Sequence, residues 1–127
     1  LKGHAWVWNS CNTCLQFYLD GPDSTAIGFH IQGQVEVVGR TVKVTDVVGR
    51  WVHIVGTVSK DGRQLYVDGK LFAETRDTTH FGSPCAMIIG ANDNGPQRHF
   101  DGLIDEVMVF DRALSGEEVR QLYESQK

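Results

Sequence analysis

The sequence predicts an all-β fold, a two-sheet antiparallel jelly-roll sandwich with one short C-terminal helix. Three observations carry that prediction. Apolar and polar residues alternate with period two along most of the chain, Asp/Gly/Pro turn clusters separate the alternating runs, and a helical stripe occurs only near the C-terminus. Roughly nine or ten short runs at even spacing suit an antiparallel sandwich, whereas a parallel sheet would interleave helices between its strands.

His4, Trp6 and Trp8 alternate with Ala5 and Val7, and Leu15, Phe17 and Leu19 alternate with Gln16 and Tyr18, so both runs read as strands. Unbroken alternation puts Trp6 and Trp8 on one face with His4. The turn cluster Asp20-Gly21-Pro22-Asp23-Ser24 separates the second run from Ile27–Ile31, and Gln34–Val38 and Val42–Val44 follow. Trp51–Val58 is nearly continuous in apolar residues, which predicts burial on both faces with Trp51 and His53 inside. Asp61-Gly62 and Asp68-Gly69 flank Gln64–Val67 and predict two tight hairpins, because type I′ turns need positive φ. Leu71–Ala73, Met87–Gly90 and Leu103–Phe110 are the remaining strands. The polar stretch Ala91–His99 is the longest candidate for an exposed loop. Ser115 with Glu118 three residues on is a capping box, and Val119, Leu122 and Tyr123 share one helical face, so a helix runs over about 116–124.

At 127 residues the chain fits one domain, 1–127. With 41% hydrophobic and 22% charged residues it is neither disordered nor collagenous, and no apolar stretch reaches the ~20 residues that span a bilayer. A net charge of −4 with scattered Lys and Arg argues against nucleic acid as partner. Cys11, Cys14 and Cys85 allow at most one intrachain disulfide. The C-x-x-C of Cys11 and Cys14 lacks two further zinc ligands and lies in no βαβ context, so a turn with ordinary thiols or a small disulfide is expected. Leu1-Lys2-Gly3-His4-Ala5-Trp6 lacks the order of a signal peptide, which suggests a mature form or an excised piece.

Two separated blocks resemble laminin-G-like domains of the concanavalin-A-like lectin/glucanase superfamily. The first is Trp51-Val52-His53-Ile54-Val55-Gly56-Thr57-Val58 with Leu65-Tyr66-Val67-Asp68-Gly69. The second is Phe100-Asp101-Gly102-Leu103-Ile104-Asp105-Glu106-Val107 with Phe110-Asp111-Arg112-Ala113-Leu114-Ser115. Against that family the chain looks N-terminally short, so missing strands would come from another segment or a neighbouring chain. The resemblance implies carbohydrate binding, adhesion or protein recognition, in some members beside a calcium ion at the sandwich rim.

Glycoside hydrolases of this architecture need two carboxylates roughly 5 to 9 Å apart. The laminarinase-like E-x-D-x-x-E strand is absent, and adjacent Asp105 and Glu106 would face opposite sides of a strand. No G-x-S-x-G occurs either. Sugar binding needs an aromatic platform and planar polar groups. Trp6 and Trp8 are candidates for the first, though strand tryptophans commonly fill cores. Asn92, Asp93, Asn94, Gln97, Arg98 and His99 are candidates for the second, though such a loop needs no ligand to explain it. Asp105 should point inward with Leu103, Val107 and Val109, where a carboxylate requires a partner. That partner is either backbone N–H groups or calcium, with Asp93, Asn94 or Asp101 completing the shell. The expected function is a non-catalytic, extracellular or secreted binding module for a glycan or a cell-surface or matrix partner. The rival is an assembly subunit, a homo-oligomer that completes its sandwich by strand exchange.

Overall fold

The structure, a computed structural model, describes residues 4–10, 13–19, 24–31, 38–77, 87–91 and 99–127, with side chains described for 25–29, 39–77, 87–91 and 99–127. Among the described residues eight strands and one α-helix follow in order: β1 His4–Ser10, β2 Thr13–Leu19, β3 Ser24–Ile31, β4 Val38–Lys43, β5 Ile54–Ser59, β6 Gly62–Val67, β7 Lys70–Thr75, β8 Met87–Ile89 and α1 Gly116–Gln126. They form a five-stranded sheet ordered β4-β3-β2-β1-β8 and a three-stranded sheet ordered β5-β6-β7, with every ladder antiparallel. Gly28 pairs with Gly39 in the β3–β4 ladder, and a Cβ on Gly39 would lie 2.5 Å from the Ile27 carbonyl oxygen, so only glycine permits that backbone approach.

The core lies between the sheets. Ile27 and Phe29 of β3 and Leu65 of β6 are buried together, and Val42, Ile54, Val67 and Phe72 pack around them. Removing a side chain such as Leu65 from water contributes about 1.5–3 kcal/mol. Tyr66, one residue on from Leu65, faces the other way. It joins Leu114 and Val119 in a second cluster, with Val55 and Leu122 beside it, so α1 covers the outer face of the three-stranded sheet. Arg63 is wholly buried at the start of β6, and its Nη2 donates to Asp77 Oδ2 at 2.9 Å while Nε donates to the Asp77 carbonyl at 3.3 Å. A charge so buried needs that pairing.

Both expected hairpins form. In the β6–β7 turn Asp68 (φ 50) and Gly69 (φ 75) supply the two positive φ values of a type I′ turn. The β5–β6 turn centres on Lys60-Asp61 rather than Asp61-Gly62, and Gly62 (φ 138) follows it, pressed so close to β7 that a Cβ would meet the Thr75 carbonyl. The capping box is present: Glu118 N–H donates to Ser115 Oγ at 3.2 Å and Ser115 N–H to Glu118 Oε2 at 2.8 Å.

Several expectations need correction. The Trp51–Val58 strand begins only at Ile54, and Trp51, which precedes the ladder, is 63% exposed. Burial on both faces holds only in part for the same strand: Ile54 packs against the inner cluster and Val55 against the cluster under α1, but Val58 is exposed. Residues 103–110 form no strand: the Ala91–His99 bridge and the 2.7 Å bond from Phe100 N–H to the Gly90 carbonyl start a ladder that then stops. Of the Val42–Val44 run, Val42 and Lys43 close β4 and Val44 opens a 3₁₀ turn over Val44–Asp46, while residues 34–37 lie outside the described residues. Cys14 sits in β2 opposite His30, and Cys11 and Cys85 lie outside the described residues.

Candidate functional site

The polar loop is closed at its base by the Ala91–His99 bridge, and His99 is exposed there. Asn92, Asp93, Asn94, Gln97 and Arg98 lie outside the described residues. Strand β8 leads into this loop and pairs with β1 through Trp8 and Ile89, so the backbone brings the tryptophan-bearing strand and the loop's base to one edge of the five-stranded sheet. The β1–β2 register shifts between Trp6 and Trp8, which pair with Gln16 and Leu15.

Asp105 does not point inward. It is exposed, as are Leu103, Val107 and Val109, because the segment lacks the ladder that would sort its side chains between two faces. Its Oδ1 accepts the Glu106 N–H at 2.8 Å, and Glu106 takes φ 51. Asp101 is exposed too. Among the described residues no three His, Cys, Asp or Glu side chains converge, and two carboxylates fall short of the about six to eight oxygens that calcium takes. A complete shell would have to draw on the loop that carries Asp93.

A better-defined constellation lies at the open end of the three-stranded sheet. Asp68, in the β6–β7 turn, accepts the His53 N–H through Oδ1 at 3.0 Å and donates its own N–H to the His53 carbonyl at 2.9 Å. Its Oδ2 receives Arg50 Nη1 at 2.9 Å. Arg50 Nη1 also donates to the Trp51 carbonyl at 2.9 Å, and its Nε to the Asp46 carbonyl. The guanidinium is thus fixed at three points, one of them the backbone carbonyl of the exposed Trp51. The His53 ring packs on Tyr123 of α1, with centroids 5.6 Å apart. Burial holds the His53 imidazole below its ordinary pKa, against the upward pull of Asp68, and its Nδ1 is buried with no hydrogen-bond partner. On the α1 side, Val67, Asp68, Lys70, Leu71, Tyr123 and Lys127 line a shallow groove of about 580 Å³, and the Lys127 ammonium sits 5.5 Å from the Tyr123 ring.

Chemically this end presents a bare aromatic face and an immobilised planar donor, and Asp68 is already committed to three contacts. Sequence reasoning assigned Trp51 to the core and Asp68 to a turn. The turn signal accounts for Asp68-Gly69 without reference to any neighbour, so nothing local pointed to Arg50 or Tyr123.

A crystal structure of an S-layer domain-containing protein from Clostridium thermocellum (residues 221–444) is similar at 22% identity and a TM-score of 0.48, covering 97% of this chain. This chain spans 64% of the length of that one. No curated protein matches the chain. A laminin G family model, described as the concanavalin A-like lectin/glucanases superfamily, matches residues 2–120. With nearly the whole chain matched, antiparallel sheets facing one core and a single C-terminal helix, the protein belongs to the concanavalin A-like lectin/glucanase superfamily.

Proposed function

We propose that this chain is a non-catalytic, extracellular glycan-binding module. The observation that carries the reading is Trp51: an indole 63% exposed, next in sequence to Arg50, whose guanidinium is pinned by Asp68. An exposed indole offers a flat apolar face on which the C–H side of a sugar ring stacks, and Arg50 offers planar donors to its hydroxyls. Membership of a lectin-like superfamily supports the same reading. Because that superfamily also holds glucanases, the absence of an E-x-D-x-x-E strand is what supports binding without hydrolysis. The loop of Asn92, Asp93, Asn94, Gln97, Arg98 and His99 is the second surface in the proposal, since the strand that leads into its base, β8, pairs with the β1 strand of Trp6 and Trp8.

Calcium enters as a ligand of the rim, with Asp101 and Asp105 supplying carboxylates and Asp93 a third. Thermal denaturation checks this part: calcium should raise the midpoint of the wild type and not of Asp105→Asn. Equal midpoints in calcium and in chelator remove calcium from the account. A glycan array probed with wild type, Trp51→Ala and His99→Ala tests the whole reading. Selective loss with Trp51→Ala places binding at the three-stranded sheet, selective loss with His99→Ala places it at the loop, and no glycan retained by the wild type refutes the proposal.

A further inference from the structure

The geometry points to residues 103–110 as an acceptor for an incoming β-strand whose side chains alternate between apolar and basic. Five large apolar residues in this stretch face solvent: Leu103 at 79%, Val109 at 68%, and Val107, Met108 and Phe110 near half exposure. Scattered exposed apolar residues are ordinary, but five within eight positions form a contiguous patch of the kind that marks an interaction surface.

The backbone carries the same message. Residues 103–110 adopt no helix or strand, and none of their backbone groups bonds to another segment among the described residues. The sequence, however, reads as a strand, rich in Leu, Ile, Val and Phe. A segment with strong strand preference and no ladder among the described residues is in local conflict, and that conflict is relieved by a pairing strand. Glu106 marks where the conflict settles. It holds φ 51, a conformation costly for a non-glycine residue, maintained through the bond from its N–H to Asp105 Oδ1. Pairing in a ladder would return Glu106 to extended geometry. The segment is also tethered beside a sheet edge, since the Ile104 side chain lies against Gly90 just past β8, where Met87 and Ile89 are half exposed.

Charge selects the partner. Asp101, Asp105, Glu106 and Asp111 are all exposed around the apolar residues, while the nearby cation, Arg112, is engaged by Glu118 at 2.7 and 2.9 Å. Antiparallel pairing with a second copy of this segment would set Asp105 and Glu106 of both chains close together, and facing like charges destabilise a ladder. A strand bearing Lys or Arg between its apolar residues meets both the patch and the carboxylates, by the main-chain mode of β-augmentation.

The test uses the whole chain and two eight-residue probe peptides, one alternating valine with lysine and one alternating valine with glutamate. Hydrogen exchange is followed at the 103–110 amides. The lysine peptide should slow exchange there about tenfold or more and the glutamate peptide should leave it unchanged. Asp105→Asn with Glu106→Gln, a pair confined to exposed groups, should weaken lysine-peptide binding about tenfold at low salt, with less difference at high salt. Val107→Lys with Val109→Lys should abolish it. Protection by neither peptide, or equal protection by both, overturns the inference. So does protection that rises with protein concentration in the absence of peptide, which would make a second copy the occupant.

Discussion

The His53 N–H donates to the Asp68 carboxylate and its carbonyl accepts the Asp68 N–H, yet its ring Nδ1 is buried without a partner against Tyr123. Protonation would place a charge where burial disfavours it, so the folded chain holds the imidazole below its ordinary value of 6.5. The unfolded chain therefore binds the proton more readily across the interval below 6.5. The contribution to stability is complete above that value and is lost as pH falls through the folded pKa. Urea titrations at a series of pH values should show the wild type losing stability on acidification more steeply than His53→Gln. Parallel slopes would mean that the ring is neutral to folding. At this scale the sequence was partly legible: the W-x-H motif marked the position of both residues, but not that Trp51 faces water. Exposure depends on where a ladder ends and what faces it, which no single residue records.

Among the elements, α1 is the most local in origin and was the most legible, since Ser115, Glu118 and the Val119, Leu122, Tyr123 stripe all lie within nine residues of one another. Hydrogen bonds from Arg112, then the Ser115 N–H, hold the Glu118 carboxyl down to about 2. The stability this gives is present above the ordinary carboxyl value of 4.5 and is lost as pH drops toward 2, with salt weakening it because the group is exposed. Ser115→Ala removes the acceptor for the Glu118 N–H and should cost about 1 kcal/mol, read as a lower denaturation midpoint with reduced helical ellipticity. The Asp68-Gly69 hairpin was legible for the same reason, as its turn chemistry is written in adjacent residues. The 103–110 strand was not, because a strand exists only when a distant backbone pairs with it. Alternation there states a preference and names no partner.

For the molecule as a whole, the two sheets meet on Ile27, Phe29 and Leu65, and the sandwich stands or falls with that contact. Leu65→Ala, at a site with 0% exposure, should destabilise by about 2–5 kcal/mol through lost burial and the cavity left behind, measured by urea unfolding. A loss below about 1 kcal/mol would mean that the sheets do not share one core. Fold class was legible because it rests on period-two patterning summed over the chain. The site was legible only in kind, aromatic and polar, because its members at 50, 51, 53, 68 and 123 are joined by the sheet and by α1 rather than by spacing. The central claim, glycan binding on Trp51, is most directly tested by calorimetric titration of an array-selected oligosaccharide into wild type, Trp51→Phe and Trp51→Ala. Stacking predicts affinity retained in part by Trp51→Phe and lost by at least about tenfold in Trp51→Ala, with the unfolding midpoint of both variants close to that of the wild type. Unchanged affinity in Trp51→Ala, or a loss explained by its unfolding, would contradict the account.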